Sequence, residues 1–329
     1  MQASLPLVWF EREILPDLKA PVAGRATILG PASATPDDPY RALPGAVGIV
    51  ASQHVYDGAL MDRAPALKVI GRTGIGYDKV DVDAATARGI AVCNTPDAPT
   101  VSTAEHTITL MLMVAKNVKR SESELLAGGS ELYARHVGIE LAGLTLGLVG
   151  YGRIARNVAI IARGLGMRTV AYDPYLDNEA FAGTTRSTTL ADLAAASDVI
   201  SLHVPLTAEN RGLVGRELIE KMKPGSIVIN TARGGLVDPV AIEAALDSGR
   251  LFGAGLDVTD PEPLPPEHPL LHRHDVVVTP HVAAGTGAAK RRIFETAFDQ
   301  VVMAINGQRP SHLVNPDVWR PEVQRQEAR

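Results

Sequence analysis

Short apolar runs rich in valine, isoleucine and leucine recur along the whole chain, with helix-periodic segments between them, and this alternation limits the possible fold more than any other feature. The runs fall at residues 5–10, 47–51, 67–71, 144–149, 168–172, 199–203, 226–230, 253–257 and 276–279. Many are apolar throughout, the pattern of a parallel strand covered on both faces. Strand, helix and strand in repetition predict an α/β chain built on parallel sheets. Helix ends are marked as well: residues 81–88 and 238–248 each open on an aspartate and are followed by Gly89 and Gly249, where glycine permits a left-handed cap. Residues 100–126 read as one long buried helix and residues 287–306 as a second.

At 329 residues the chain is long enough for two domains. The two long helices would join them, giving a discontinuous first domain, 1–99 with 288–329, and a second domain, 100–287. Hydrophobic residues make up 46% and charged residues 21%, so a sizeable core can form and disorder is excluded as the general state. The net charge of -5 provides no positive field for nucleic acid or anionic lipid, so neither is an expected partner. One cysteine, Cys93, can neither close an internal disulfide nor supply a thiolate metal cluster, and no metal is expected. Apolar stretches such as 108–115 fall short of the roughly 20 residues a membrane span needs. The first residues show no basic segment leading into an apolar one, and a cytoplasmic protein is the expectation. The polar tail from Arg320 is expected to fray.

One turn carries chemistry. Residues 144–149 run into Gly150-Tyr-Gly152-Arg-Ile-Ala155 and then a helix through about residue 165. In such a turn the first glycine makes the bend, the second lets backbone approach a pyrophosphate, and the small third residue packs helix on strand. The helix N-terminus then offers its N–H groups and positive dipole end to phosphate. Asp173 ends the next strand, 23 residues beyond Gly150, where a carboxylate accepts from ribose hydroxyls and repels a 2'-phosphate. That predicts NAD over NADP. Asp173 could instead be a strand-end turn residue before Pro174.

Three further polar residues follow apolar strands at what would be the ligand-binding edge: Arg233 after 227–232, Glu262 in the Pro-rich loop 260–269, and His281 after 276–280. Alone, each could be a surface or turn residue. Together with Gly71-Arg-Thr-Gly-Ile-Gly76-Tyr-Asp-Lys-Val-Asp81, Gly89-Ile-Ala-Val-Cys-Asn94-Thr-Pro, Ala104-Glu-His106, His203-Val-Pro-Leu-Thr207 with Asn210, Asn230-Thr-Ala-Arg233-Gly-Gly, Asp257 with Glu262-Pro, Thr279-Pro-His281 with Thr286, and Leu313-Val-Asn-Pro316, they resemble the D-isomer-specific 2-hydroxyacid dehydrogenases over nearly the whole chain.

The resemblance implies two Rossmann-like doubly wound parallel-sheet domains, the first discontinuous, with an active site in the cleft between them. It implies NAD, a small 2-hydroxyacid or 2-oxoacid substrate, and a homodimer paired through the cofactor domain with 121–141 as an arm. Arg233 would supply a fixed cation for carboxylate and carbonyl. His281 would be acid in reduction and base in oxidation, imidazole being the side chain that titrates near working pH, with Glu262 fixing its tautomer. Cofactor contacts would come from Gly150, Gly152, Arg153, Ile154, Asp173, Val204, Pro205, Asn210, Thr231, Ala232, Thr103 and Asp257, the last near the nicotinamide amide. Ile75 and Gly76 would hold the substrate carboxylate by backbone N–H groups, with Arg72 beside them. The 71–81 motif and Asp83-Ala-Ala-Thr-Ala-Arg-Gly-Ile are most similar to the phosphoglycerate dehydrogenases, for which Arg72 and Arg135, the latter from a neighbouring subunit, would meet the phosphate. Pro99 in place of asparagine and Leu144 in place of lysine depart from that branch, and no regulatory domain is expected. Glyoxylate or hydroxypyruvate reduction and D-lactate oxidation stay open, as does an NAD(H)-binding corepressor on the same fold.

Overall fold

A computed structural model describes residues 4–35 and 37–319. Contacts divide the chain into two units, Met1–Pro99 with Thr286–Arg329, and Thr100–Gly285. Each is built on one parallel sheet.

In the first unit five strands, β1 (Leu7–Phe10), β2 (Thr27–Leu29), β3 (Gly48–Ala51), β4 (Val69–Arg72) and β5 (Ala91–Cys93), lie in the order β2-β1-β3-β4-β5. Side chains alternate between its two faces: Trp9, Ile49, Ile70 and Val92 enter one core, while Val8, Phe10, Val50, Val69 and Cys93 enter the other with Phe298 and Val301 of the helix Gly287–Ile305. That helix starts where the Thr286 hydroxyl accepts from Ala289 N at 3.1 Å. The helix Val82–Ala87 starts likewise, with Asp81 accepting from Ala84 N at 2.8 Å, and Gly89 at φ 69° follows its end.

The second unit holds β6 (Thr145–Val149), β7 (Arg168–Tyr172), β8 (Thr185–Arg186), β9 (Val199–Leu202), β10 (Ser226–Asn230), β11 (Leu251–Leu256) and β12 (Val276–Val278), in the order β12-β11-β10-β9-β6-β7-β8. Every residue of β6, β9 and β10 is buried, as two-sided cover demands. Leu146, Leu148, Val199, Ile227 and Ile229 face a core shared with the helices Thr100–Ala115 and Arg153–Gly164; Val149, Ile200, Leu202 and Val228 face one shared with Leu193, Ile219 and Ile242. The chain moves outward from β6 through β7 to β8 and then returns to β9 on the other side. The carboxyl ends of β6 and β9 therefore flank the switch point where open sheets bind ligands.

Two features differ from the sequence expectation. The helix expected over 100–126 is two, Thr100–Ala115 and Val118–Leu126, because Asn117 adopts φ 49°, a left-handed conformation that asparagine tolerates. There the Ala115 carbonyl accepts from Ile139 N at 2.6 Å, and the Asn117 amide donates to Val137 O. The short strands β2, β5 and β8 had no expected counterpart; β2 and β8 are edge strands and largely exposed, so burial leaves little apolar signal in them. The tail from Arg320 lies outside the described residues. No helix among the described residues is long and apolar enough to cross a membrane.

Candidate active site

The dinucleotide-type turn forms as its residues dictate. Gly150 has φ 85°, and its N–H donates to Tyr172 O at 2.8 Å, tying the end of β6 to β7. Gly152 is the N-cap of the helix Arg153–Gly164, with no capping side chain and no acidic residue in the first turn. A Cβ built on Gly152 meets nothing within 4 Å, while Ala155 behind it is fully buried. The turn thus presents a positive helix end with no capping side chain and open space before it, the fit that a pyrophosphate requires. Arg153 is exposed and Ile154 half-buried on the first helical turn.

Asp173 stands at the end of β7, with its Oδ2 accepting from Tyr151 N at 2.9 Å and Oδ1 from Tyr175 N at 3.0 Å. It therefore serves the turn on its own side of the sheet, and each oxygen keeps a second lone pair for a ligand. Asn210 closes its own loop, accepting from Thr207 N at 2.7 Å and donating to Pro205 O at 2.8 Å. Val204 is half-buried and Pro205 exposed. Thr231 Oγ1 lies 2.9 Å from Thr107 Oγ1, and Thr103, buried, accepts from the Thr107 hydroxyl through its carbonyl.

Arg233, Asp257 and His281 follow three neighbouring strands, β10, β11 and β12, at their carboxyl ends. The fully buried Asn230 builds the first of these turns: its Oδ1 accepts from Ala232 N and its Nδ2 donates to Arg233 O at 2.8 Å. Arg233 Nη1 donates to Ala232 O at 2.8 Å. A Cβ on the next residue, Gly234, would stand 2.0 Å from the Thr259 carbonyl, so glycine allows the Arg233 turn to pack against the loop that leads to Glu262. His281 Nδ1 and Glu262 Oε1 are 2.6 Å apart, with both side chains partly exposed. His281 has φ 54°, a left-handed backbone that costs a Cβ-bearing residue about 1–2 kcal/mol.

Asp257 differs from its neighbours: its side chain is wholly buried. Burial pushes its carboxyl up, but hydrogen bonds involving His106, Thr279, Val282 N and Ala283 N outweigh that and hold it below the ordinary carboxylate range. No role for His106 followed from the sequence beyond its place in the Ala104-Glu-His106 motif.

In the first unit, Ile75 and Gly76 sit in the turn after β4. The turn is tied by Asn94 Nδ2 donating to Ile75 O at 2.8 Å and by Gly74 N donating to Thr95 Oγ1 at 2.9 Å. Arg72, half-buried at the end of β4, lies over Gly74. The neighbouring loop after β3 is held by Glu11, a buried carboxylate absent from the sequence expectation. It accepts from Ser52 N at 2.5 Å, Gln53 N at 2.5 Å, His54 N at 3.2 Å and the Tyr56 hydroxyl at 2.8 Å.

Residues 108–283 match the family model described as D-isomer specific 2-hydroxyacid dehydrogenase, NAD binding domain. The chain belongs to this family. NAD is the cofactor of the matched domain, and the Gly150–Gly152 turn fits it. A D-3-phosphoglycerate dehydrogenase of Archaeoglobus fulgidus is 41% identical over 268 residues, 81% of this chain and 51% of that protein. A glyoxylate reductase of Korarchaeum cryptofilum is 38% identical over 268 residues, 80% of each chain. A solved structure from Thermus thermophilus aligns with TM-score 0.84 and 37% identity over 94% of this chain and 99% of that one. The chain spans about half the length of the phosphoglycerate dehydrogenases it matches.

Proposed function

We propose that the protein is an NAD-dependent oxidoreductase acting at C2 of a D-2-hydroxyacid or its 2-oxoacid, with 3-phosphoglycerate as the preferred reading and glyoxylate, hydroxypyruvate or D-lactate as the alternatives. The observation that carries the reading is the 2.6 Å contact of His281 Nδ1 with Glu262 Oε1, in the same sheet-edge region as the Arg233 turn. An ionised carboxylate only accepts, so Nδ1 carries a hydrogen and Nε2 is the nitrogen left to exchange a proton with substrate oxygen. In reduction His281 gives that proton to the developing alkoxide; in oxidation it removes the hydroxyl proton. Arg233 binds carboxylate and carbonyl oxygens through a charge that does not titrate. The N–H groups of Ile75 and Gly76 hold the substrate carboxylate, with Arg72 beside them. Gly150, Gly152, Arg153, Ile154 and Asp173 bind the cofactor, with Val204, Pro205, Asn210, Thr231, Ala232 and Thr103 as further neighbours and Asp257 near the nicotinamide amide. Bound NAD accepts or supplies the hydride.

We also assign a homodimer paired through the second unit. Leu125, Leu126, Tyr133 and Val137 of the 121–141 segment are 65%, 81%, 97% and 70% exposed, more apolar surface than a stretch this short normally leaves to water. The working place assigned is the cytoplasm. Following NADH absorbance with 3-phosphohydroxypyruvate, hydroxypyruvate, glyoxylate and pyruvate tests the function. Turnover on one of them is expected; cofactor binding without turnover on any would overturn the reading in favour of a non-catalytic NAD(H)-binding protein.

A further inference from the structure

Three consecutive backbone N–H groups converge on Asp257. His281 N donates to its carbonyl oxygen at 2.7 Å, Val282 N to Oδ1 at 2.9 Å and Ala283 N to Oδ2 at 2.9 Å. The Thr279 hydroxyl donates to Oδ1 at 2.6 Å. Such successive N–H groups form an anion-binding concavity, here filled by the protein's own carboxylate. The left-handed turn that presents His281 is therefore shaped by Asp257. The Asp257 carboxylate is buried and holds this turn through both of its oxygens.

His106 reaches the same group from the helix Thr100–Ala115. Its Nε2 is 2.9 Å from Thr279 Oγ1 and 3.4 Å from Asp257 Oδ1. Thr279 has one hydroxyl proton and gives it to the carboxylate, so its oxygen accepts from His106. The hydrogen on Nε2 is thus fixed by its surroundings.

We propose that His106 is a positioning residue for His281. Its Nε2–H, relayed through the Thr279 hydroxyl, holds the Asp257 carboxylate in the orientation that grips the N–H groups of Val282 and Ala283, the two residues that follow His281. This rests on the acid/base role proposed for His281. His106 acts only through the turn.

The test uses the full chain. Wild-type turnover on the oxoacid panel is established first, since its absence removes the dehydrogenase reading before His106 is examined. His106→Leu is then expected to lower kcat by about 10- to 100-fold, the scale of a small displacement of a catalytic group. KM for the oxoacid and the Kd for NADH should stay within about twofold, because only the placement of the proton carrier changes. His106→Gln, whose side-chain amide can donate at similar reach, is expected to recover most of kcat. Thr279→Val should match His106→Leu, and the double variant should lose no more than either alone. The proposal is overturned if kcat survives His106→Leu, if the Gln variant is as impaired as the Leu variant, or if the two single losses add. A lower melting temperature with intact kcat would mean that the contact is only structural. Should His106→Leu not fold, Thr279→Val and His106→Gln decide the matter.

Discussion

Gly150 lies so close to His203 that a Cβ on it would stand 2.7 Å from the His203 carbonyl oxygen, and equally close to Val204 Cγ1. Two residues on, Gly152 has φ −74° and open space where its Cβ would be. Alanine should separate the two roles. Gly150→Ala is expected to destabilise the fold by about 1–3 kcal/mol. Gly152→Ala should change stability by under about 0.5 kcal/mol. It should nevertheless weaken NADH binding about tenfold or more, since the new methyl occupies the phosphate approach. Thermal melts and NADH fluorescence titrations check both; equal effects of the two variants on stability would contradict the assignment.

Loss of the proposed proton carrier, His281, should leave cofactor binding alone. His281→Ala is expected to reduce kcat by about 10²–10⁴-fold, with NADH affinity unchanged by titration. Glu262→Gln should lie between wild type and His281→Ala, because an amide can still meet Nδ1 without carrying charge. Full activity in His281→Ala would remove the acid/base role.

Asp173 should set the choice between cofactors. The carboxylate at the end of β7 is expected to repel a 2'-phosphate, so Asp173→Ala should narrow the ratio of kcat/KM for NADH over NADPH. Part of any loss will be structural, since the Tyr151 and Tyr175 N–H groups lose their acceptor; comparing the two cofactors in one variant cancels that part. An unchanged ratio would dismiss Asp173 as the discriminator.

Asp257 should make acid stability steeper. Its carboxyl titrates below the ordinary aspartate value in the folded chain, its hydrogen bonds outweighing the upward push of burial. It therefore adds stability above the unfolded value, and that contribution is lost as pH falls through the folded value. Denaturant melts from neutral pH down to about pH 2 should show the wild type losing more stability across this window than Asp257→Asn. Parallel curves would mean that the carboxylate is not held ionised.

The sheets were legible in the chain because central parallel strands are apolar on both faces; β6, β9 and β10 need no partner to be recognised. The edges β2 and β8 were not, since exposed strands carry no such mark. The Gly150 turn could be read as a strand meeting a helix, and the pairing of His281 with Glu262 was anticipated through resemblance, not through spacing. Glu11 and His106 remained hidden for one reason: each acts on residues distant in sequence, Ser52 to Tyr56 and Asp257 with Thr279, and no local period reports such a partner. The break at Asn117 was hidden too, because a polar residue beside Lys116, Lys119 and Arg120 also suits an exposed helix surface.

Glu11 has a consequence for what the first unit can recognise. At many sheet edges a loop with successive amides is a socket for a ligand's phosphate or carboxylate. Here the socket is already filled from within, so an anion arriving at this loop would find a resident negative charge in its place. On the proposed reading, a charged far end of a substrate would be met by side chains such as Arg72, and emptying the socket with a neutral, shorter residue would be the first move in teaching this loop to hold a phosphate.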